Sequence, residues 1–208
     1  NGITLNRFVG ITMSAGITVA NSIQGNTINN FSLLSSSGAS TSPGVFCGIQ
    51  NLAGLTNIGT ISANTIGSGT GTGSISVTTA VAGGFSMGIT NASTSTVNIS
   101  NNIIGSISCL GSGATISHGF VGIQSTGGTT TISSNIIGST STPNSISQAA
   151  STAALGTQMT GIFCSGGTPT ITGNTVANIN NAYSAAVAAG QTRGIIQSAG
   201  AVNITGNT

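Results

Sequence analysis

The sequence predicts an all-β parallel β-helix, a solenoid of about six coils of 33–40 residues with three short strands per coil, and three observations carry that prediction. The motif Ile-(Ser/Thr/Gln)-x-Asn-x-(Ile/Val) recurs around Asn26, Asn64, Asn102, Asn135, Asn174 and Asn207. A Gly-Ile pair precedes each copy, beginning at Gly10, Gly48, Gly88, Gly122, Gly161 and Gly194. No stretch places apolar residues at helical spacing, whereas short segments alternate apolar and polar residues as half-buried strands do.

The Gly-Ile pairs step by 38, 40, 34, 39 and 33 residues, and the distance from Gly to the following Asn is 16, 16, 14, 13, 13 and 13. Most of the length variation therefore falls after the Asn, which marks that segment as a loop on a constant frame. Thr192–Gln197 is the first strand of its coil, Ser198-Ala199-Gly200 a turn and Ala201–Thr205 the second strand, with Gly206-Asn207 the next turn. One coil earlier, Thr175–Ile179 supplies the third strand and Asn180–Gln191 the variable connection.

A single coil cannot bury its apolar face alone, so coils stack about 4.8 Å apart with parallel strand pairing. Equivalent residues then lie above one another. Ile11, Ile49, Ile89, Ile123, Ile162 and Ile195 are expected to form one inward column, and Ile23, Ile61, Ile99, Ile132, Ile171 and Ile204 a second. Isoleucine is apolar and β-branched, which suits both burial and strand.

The six turn asparagines are expected to stack as a ladder, each amide donating to the next carbonyl oxygen; the alternative is that each Asn only tolerates the left-handed backbone of a tight turn. Phe8, Phe46, Phe85, Phe120 and Phe163 sit within three residues of a Gly-Ile pair. An internal aromatic stack is the expected use, and an exposed sugar-binding stripe the alternative.

Repeats run from end to end without a linker, so residues 1–208 read as one domain. Six coils would span roughly 29 Å at the strand spacing. The chain starts and stops inside a coil with no amphipathic cap, which raises two expectations: a segment of a longer chain, or a filament subunit that stacks head to tail.

Composition excludes much chemistry. The chain has no Asp or Glu and only two Lys or Arg residues, Arg7 and Arg193, against about one-quarter charged residues in an ordinary soluble protein. Glycoside hydrolysis in most families needs two carboxyl groups, calcium sites need carboxylate oxygens, and a Ser-His-Asp relay lacks its acid. His118, beside Ser117 and ahead of it in sequence Cys109, reads as a solvated loop residue of GSGATISHGF.

The glycine-rich Gly67–Gly73 lacks the Lys-Ser/Thr ending of a phosphate loop. Two arginines make no nucleic-acid footprint and no polybasic membrane patch. No run of about 18 apolar residues could insert into a membrane. Cys47, Cys109 and Cys164 share no aligned position and no CxxC spacing, so they read as buried free thiols, with no metal and no cofactor expected. Four N-x-(S/T) sequons, at Asn30, Asn91, Asn98 and Asn203, are candidate glycosylation sites, of which Asn98 and Asn203 are expected to face outward from a strand.

The segments VNISNNIIGSIS (Val97–Ser108), TISSNIIGS (Thr131–Ser139) and TITGNTVANIN (Thr170–Asn180) resemble the right-handed parallel β-helix repeats of the pectate-lyase-like superfamily, in particular large secreted surface proteins of Bacteroidetes. The resemblance covers nearly the whole chain. It implies an asparagine ladder at the six Asn positions and an extracellular or cell-surface location; the catalytic and calcium-binding acids of the related enzymes match nothing here.

The leading expectation is a non-enzymatic structural protein, a building block of an extracellular filament or surface fibre. Its partner would be itself, head to tail or laterally, and its stability would depend weakly on pH. The alternative is an adhesin stalk or carbohydrate-binding rod that contacts surface glycans through the loops Ser139–Gln158 and Ser68–Val81. A third reading, ice binding, wants a regular threonine array on one strand face, and Thr70, Thr72, Thr140 and Thr142 fall in loops instead.

Overall fold

A computed structural model describes residues 4–80, 83–111, 118–148, 157–182 and 190–208. Every strand pair in it is parallel, and the strands stack coil on coil into four sheets. The first sheet carries the Gly-Ile strands Phe8–Ser14, Phe46–Ala53, Gly84–Asn91, His118–Ser125, Gln158–Cys164 and Gln191–Gln197. The second holds Asn21–Ile23, Thr56–Ile58, Thr96–Ser100, Thr129–Ser133, Thr170–Thr172 and Asn203–Thr205. The third and fourth sheets follow the ladder asparagines and have five strands each.

The chain is thus a parallel β-solenoid, but with four strands per coil where the sequence suggested three. The segment Thr175–Ile179, expected as one strand, breaks at Asn178, whose φ is +55°, into Thr175–Ala177 and Ile179–Asn181. Asn30 and Ser106 take the same left-handed turn at the equivalent corner of their coils. A run of Ser side chains caps this corner: Ser74 Oγ accepts from Asn30 N–H at 3.3 Å, Ser106 Oγ from Ser74 N–H at 3.0 Å, and Ser145 Oγ from Ser106 N–H at 2.9 Å.

The first aliphatic column pairs in register from Ile11 through Ile49, Ile89, Ile123 and Ile162 to Ile195. In the second column, Ile61 is not a member. Ile58 pairs with both Ile23 and Ile99, and the column continues through Ile132 and Ile171 to Ile204. The ladder Asn follows the strand Ile by three positions everywhere else, but Asn64 follows Ile58 by six. The insertion loops Ile61 out to 88% exposure, and Gln24 Oε1 holds it by accepting from the Ile61 and Ser62 amides at 3.0 and 3.2 Å.

The glycines of five Gly-Ile pairs, at Gly10, Gly48, Gly88, Gly122 and Gly161, have a packing cause. A Cβ on Gly122 would lie 2.5 Å from the Gly161 carbonyl oxygen and 2.6 Å from Ile137 Cγ2. The third sheet's inward residues Ile28, Ile66, Ile104, Ile137 and Val176 each press on the glycine of their own coil, so this column closes the core where a side chain would hold two sheets apart.

Phe8 and Phe46 stack at 5.9 Å with rings 9° from parallel, and Phe31 packs on both. Phe120 is buried farther along the same column. Phe85 and Phe163 depart from the expected internal stack: they lie with Cys47, Met87 and Val121 in a separate cluster.

Candidate functional site

The asparagine ladder runs without a break through six coils. Nδ2 of Asn26 donates to Asn64 Oδ1, Asn64 to Asn102, Asn102 to Asn135, Asn135 to Asn174 and Asn174 to Asn207, each at 2.9 Å. The main-chain amide of each donor Asn also reaches the same oxygen, as Asn102 N–H does to Asn135 Oδ1 at 3.0 Å. From Asn64 onward a third bond ties each amide to the coil before it: Asn135 Nδ2 donates to the Ile99 carbonyl at 2.8 Å and Asn174 Nδ2 to that of Ile132 at 2.9 Å. Asn64, Asn102, Asn135 and Asn174 are buried, which is tolerable because their polar atoms are satisfied.

A second polar column, unseen in the sequence, lies at the end of the first sheet. Met13, Asn51, Asn91, Ser125, Cys164 and Gln197 occupy equivalent positions. Asn51 Nδ2 donates to Asn91 Oδ1 at 3.0 Å, and Asn91 Nδ2 to Ser125 Oγ at 3.1 Å and Thr130 Oγ1 at 3.2 Å. Asn91 is 1% exposed, so this candidate glycosylation site is withdrawn: its amide is consumed in the core. Asn98 faces outward but is half-buried and donates to Asn57 Oδ1 at 2.8 Å. Asn30 and Asn203 are exposed, with Asn30 Oδ1 accepting from Ser74 Oγ at 3.3 Å.

His118 is fully buried rather than solvated. Its Nε2 lies 2.9 Å from Ser86 Oγ and its Nδ1 3.3 Å from Thr79 Oγ1. The cause is a gap in the aromatic column: Ser86 stands in register between Phe46 and Phe120, and the imidazole enters opposite Gly84. Burial pushes its pKa down to about 4, so at neutral pH it is an uncharged hydrogen-bonding plug. Burial pushes the free thiols Cys47 and Cys109 up to about 12 and Cys164 up to about 11, which keeps them protonated and poor nucleophiles. Among the described residues no three of His, Cys, Asp and Glu converge.

The outer surface of the first sheet carries a groove of about 320 Å³. Phe85, Met87, Val121, Phe163 and Ile196 supply its apolar wall, and Gln124, Gln158 and Arg193 its polar groups. Elsewhere, the loops at Ser68–Gly73 and Ser139–Ser145 join across the intervening coil: Ser139 Oγ donates to the Gly69 carbonyl at 2.8 Å and Gly71 N–H to Thr142 Oγ1 at 3.2 Å. Of the two loops expected as contact surfaces, residues 81 and 149–156 lie outside the described residues, as does Ser117. Comparison with protein-family models, with curated proteins and with solved structures returns no match.

Proposed function

We propose that this chain is a non-enzymatic structural protein, a β-solenoid building block of an extracellular filament or surface fibre. The observation that carries the reading is the uninterrupted in-register stacking of nearly chargeless coils. Every coil is joined to the next by the same contact, main-chain pairing plus one asparagine bond, and that contact has no built-in endpoint. A repeated contact of this kind, used between chains without closing a ring, generates a filament. Near-zero charge removes the repulsion that would oppose it, and no carboxylate supports a hydrolytic or calcium-dependent reaction. The sequence resemblance to secreted surface repeats of Bacteroidetes supports an extracellular location in this reading.

Electron microscopy in dilute neutral buffer and in dilute acid tests it. Continuous fibres are expected. Discrete short rods would overturn the assembly and favour the second reading, an adhesin stalk or carbohydrate-binding rod. The groove beside Phe85 and Phe163 supports that alternative, because it joins aromatic rings to amide and guanidinium donors; saturable glycan binding by a monodisperse monomer is its signature.

A further inference from the structure

The sequence sets threonine in loops, yet the fold gathers a different set of hydroxyls onto one face. Along the second sheet the outward positions of one strand are Thr129, Thr131 and Ser133, and those of the next coil are Thr168, Thr170 and Thr172. Thr131 pairs with Thr170 and Ser133 with Thr172 in register, and the Thr129 and Thr168 hydroxyls lie 3.4 Å apart. The coil before continues all three columns with Thr96, Asn98 and Ser100, and the coil after continues two of them with Asn203 and Thr205. The alternate residues Val97, Ile99, Thr130, Ile132 and Ile171 are buried, so the array stands on a packed layer.

Its dimensions follow from strand geometry. Neighbouring strands lie about 4.8 Å apart, and outward residues along a strand repeat at about 6.6 Å. These two distances at right angles are close to the oxygen repeats on the prism face of hexagonal ice. We infer that the outer face of the second sheet is an ice-binding surface whose ligand is the ordered water lattice itself. This activity goes beyond the structural role and does not depend on filament formation.

Three further observations support the assignment. The face is free of charge: Arg7 and Arg193 lie at the first sheet and the chain has no acidic side chain. A neutral lattice offers nothing to balance an ion, and an ionic group would hold liquid hydration against it. Among the described residues the Thr131 and Thr170 side chains, half-exposed at the centre of the array, have no hydrogen-bond partner, leaving both hydroxyls to water. Finally, the ladder fixes the template, because Asn102, Asn135 and Asn174 donate to the carbonyls of Ser100, Ser133 and Thr172, the third outward residue of each strand. The fourth sheet offers the internal control, since Ser76 and Ser108 form a single outward polar column there rather than a two-dimensional array.

The test is inhibition of ice recrystallisation, with thermal hysteresis read in parallel, on the whole chain and on three variants. The unmodified chain and Ser108→Lys on the control face should restrain crystal growth, whereas Thr131→Val, which removes one of the two free central hydroxyls, should weaken that restraint. Thr170→Lys, which places a hydrated cation in the array, should lose activity while circular dichroism and melting midpoint stay those of the unmodified chain. An inactive unmodified chain would overturn the proposal, as would a Ser108→Lys loss equal to that of Thr170→Lys, which would show a non-specific charge effect.

Discussion

Replacing Asn135 by Ala removes one rung from the middle of the ladder and leaves a main-chain donor of the preceding coil unpaired. Asn102 Nδ2 keeps its bonds to the Ile58 and Ser100 carbonyls, and Asn174 Oδ1 keeps the residue 135 main-chain amide. The Asn102 N–H and the Ile99 carbonyl lose the partner that Asn135 gives them. The carbonyl keeps its ladder bond from the Ser133 amide, while the buried N–H left unsatisfied costs about 1–3 kcal/mol, so with the lost side-chain rung the expected loss is about 3 kcal/mol. Asn26→Ala should cost only about 1 kcal/mol, because Asn26 accepts no side-chain bond among the described residues and Asn64 Oδ1 retains the residue 26 main-chain amide. Urea unfolding followed by circular dichroism compares the two midpoints. Equal shifts would refute the argument, since a mere turn preference would weigh the same at either position.

The remaining predictions concern titration, thiols and the glycine column. The folded value of His118, about 4, lies below its ordinary 6.5, so the unfolded chain takes up the proton first as pH falls. Stability is therefore full above about pH 6.5 and declines to about pH 4, by about 3 kcal/mol in all. The urea midpoint should drop between pH 7 and pH 4.5, and His118→Gln should flatten that dependence; on the acid side this group is the exception to the weak pH sensitivity expected from composition. Cys47, Cys109 and Cys164 should all resist a thiol reagent at pH 8 in the folded chain and react together after denaturation, so a fast-reacting native thiol would contradict their burial. Gly122→Ala should destabilise by at least about 1–3 kcal/mol through overpacking, whereas Gly194→Ala should be tolerated, because nothing lies within 4 Å of its missing Cβ; thermal melting of the pair distinguishes them.

Legibility in the sequence followed the constancy of each column. The first-sheet isoleucines and the ladder asparagines repeat one residue type at nearly every coil, so spacing alone aligned them. The column from Met13 through Asn51 and Asn91 to Gln197 changes identity at almost every step, and only main-chain register reveals it. Ile61 misled because the three-residue insertion after Ile58 recreates the motif's own spacing. His118 could not be placed without knowing that Ser86 interrupts the aromatic column. The fourth strand was hidden because its corner is set by backbone conformation, taken by Asn30, Ser106 and Asn178, rather than by one recurring side chain. The outward hydroxyl array was missed for a related reason: Thr, Ser and Asn substitute for one another there.

The direction of the ladder has an electrical consequence. All five side-chain links point the same way, with each carbonyl oxygen turned toward the amino-terminal coil and each amide nitrogen toward the carboxy-terminal one. Sheets have only small net dipoles of their own, so the asparagine amides add in series along the solenoid axis. With almost no fixed charge in the chain to mask it, the rod carries an intrinsic axial polarity, distinguishing its two ends to any polar surface or applied field.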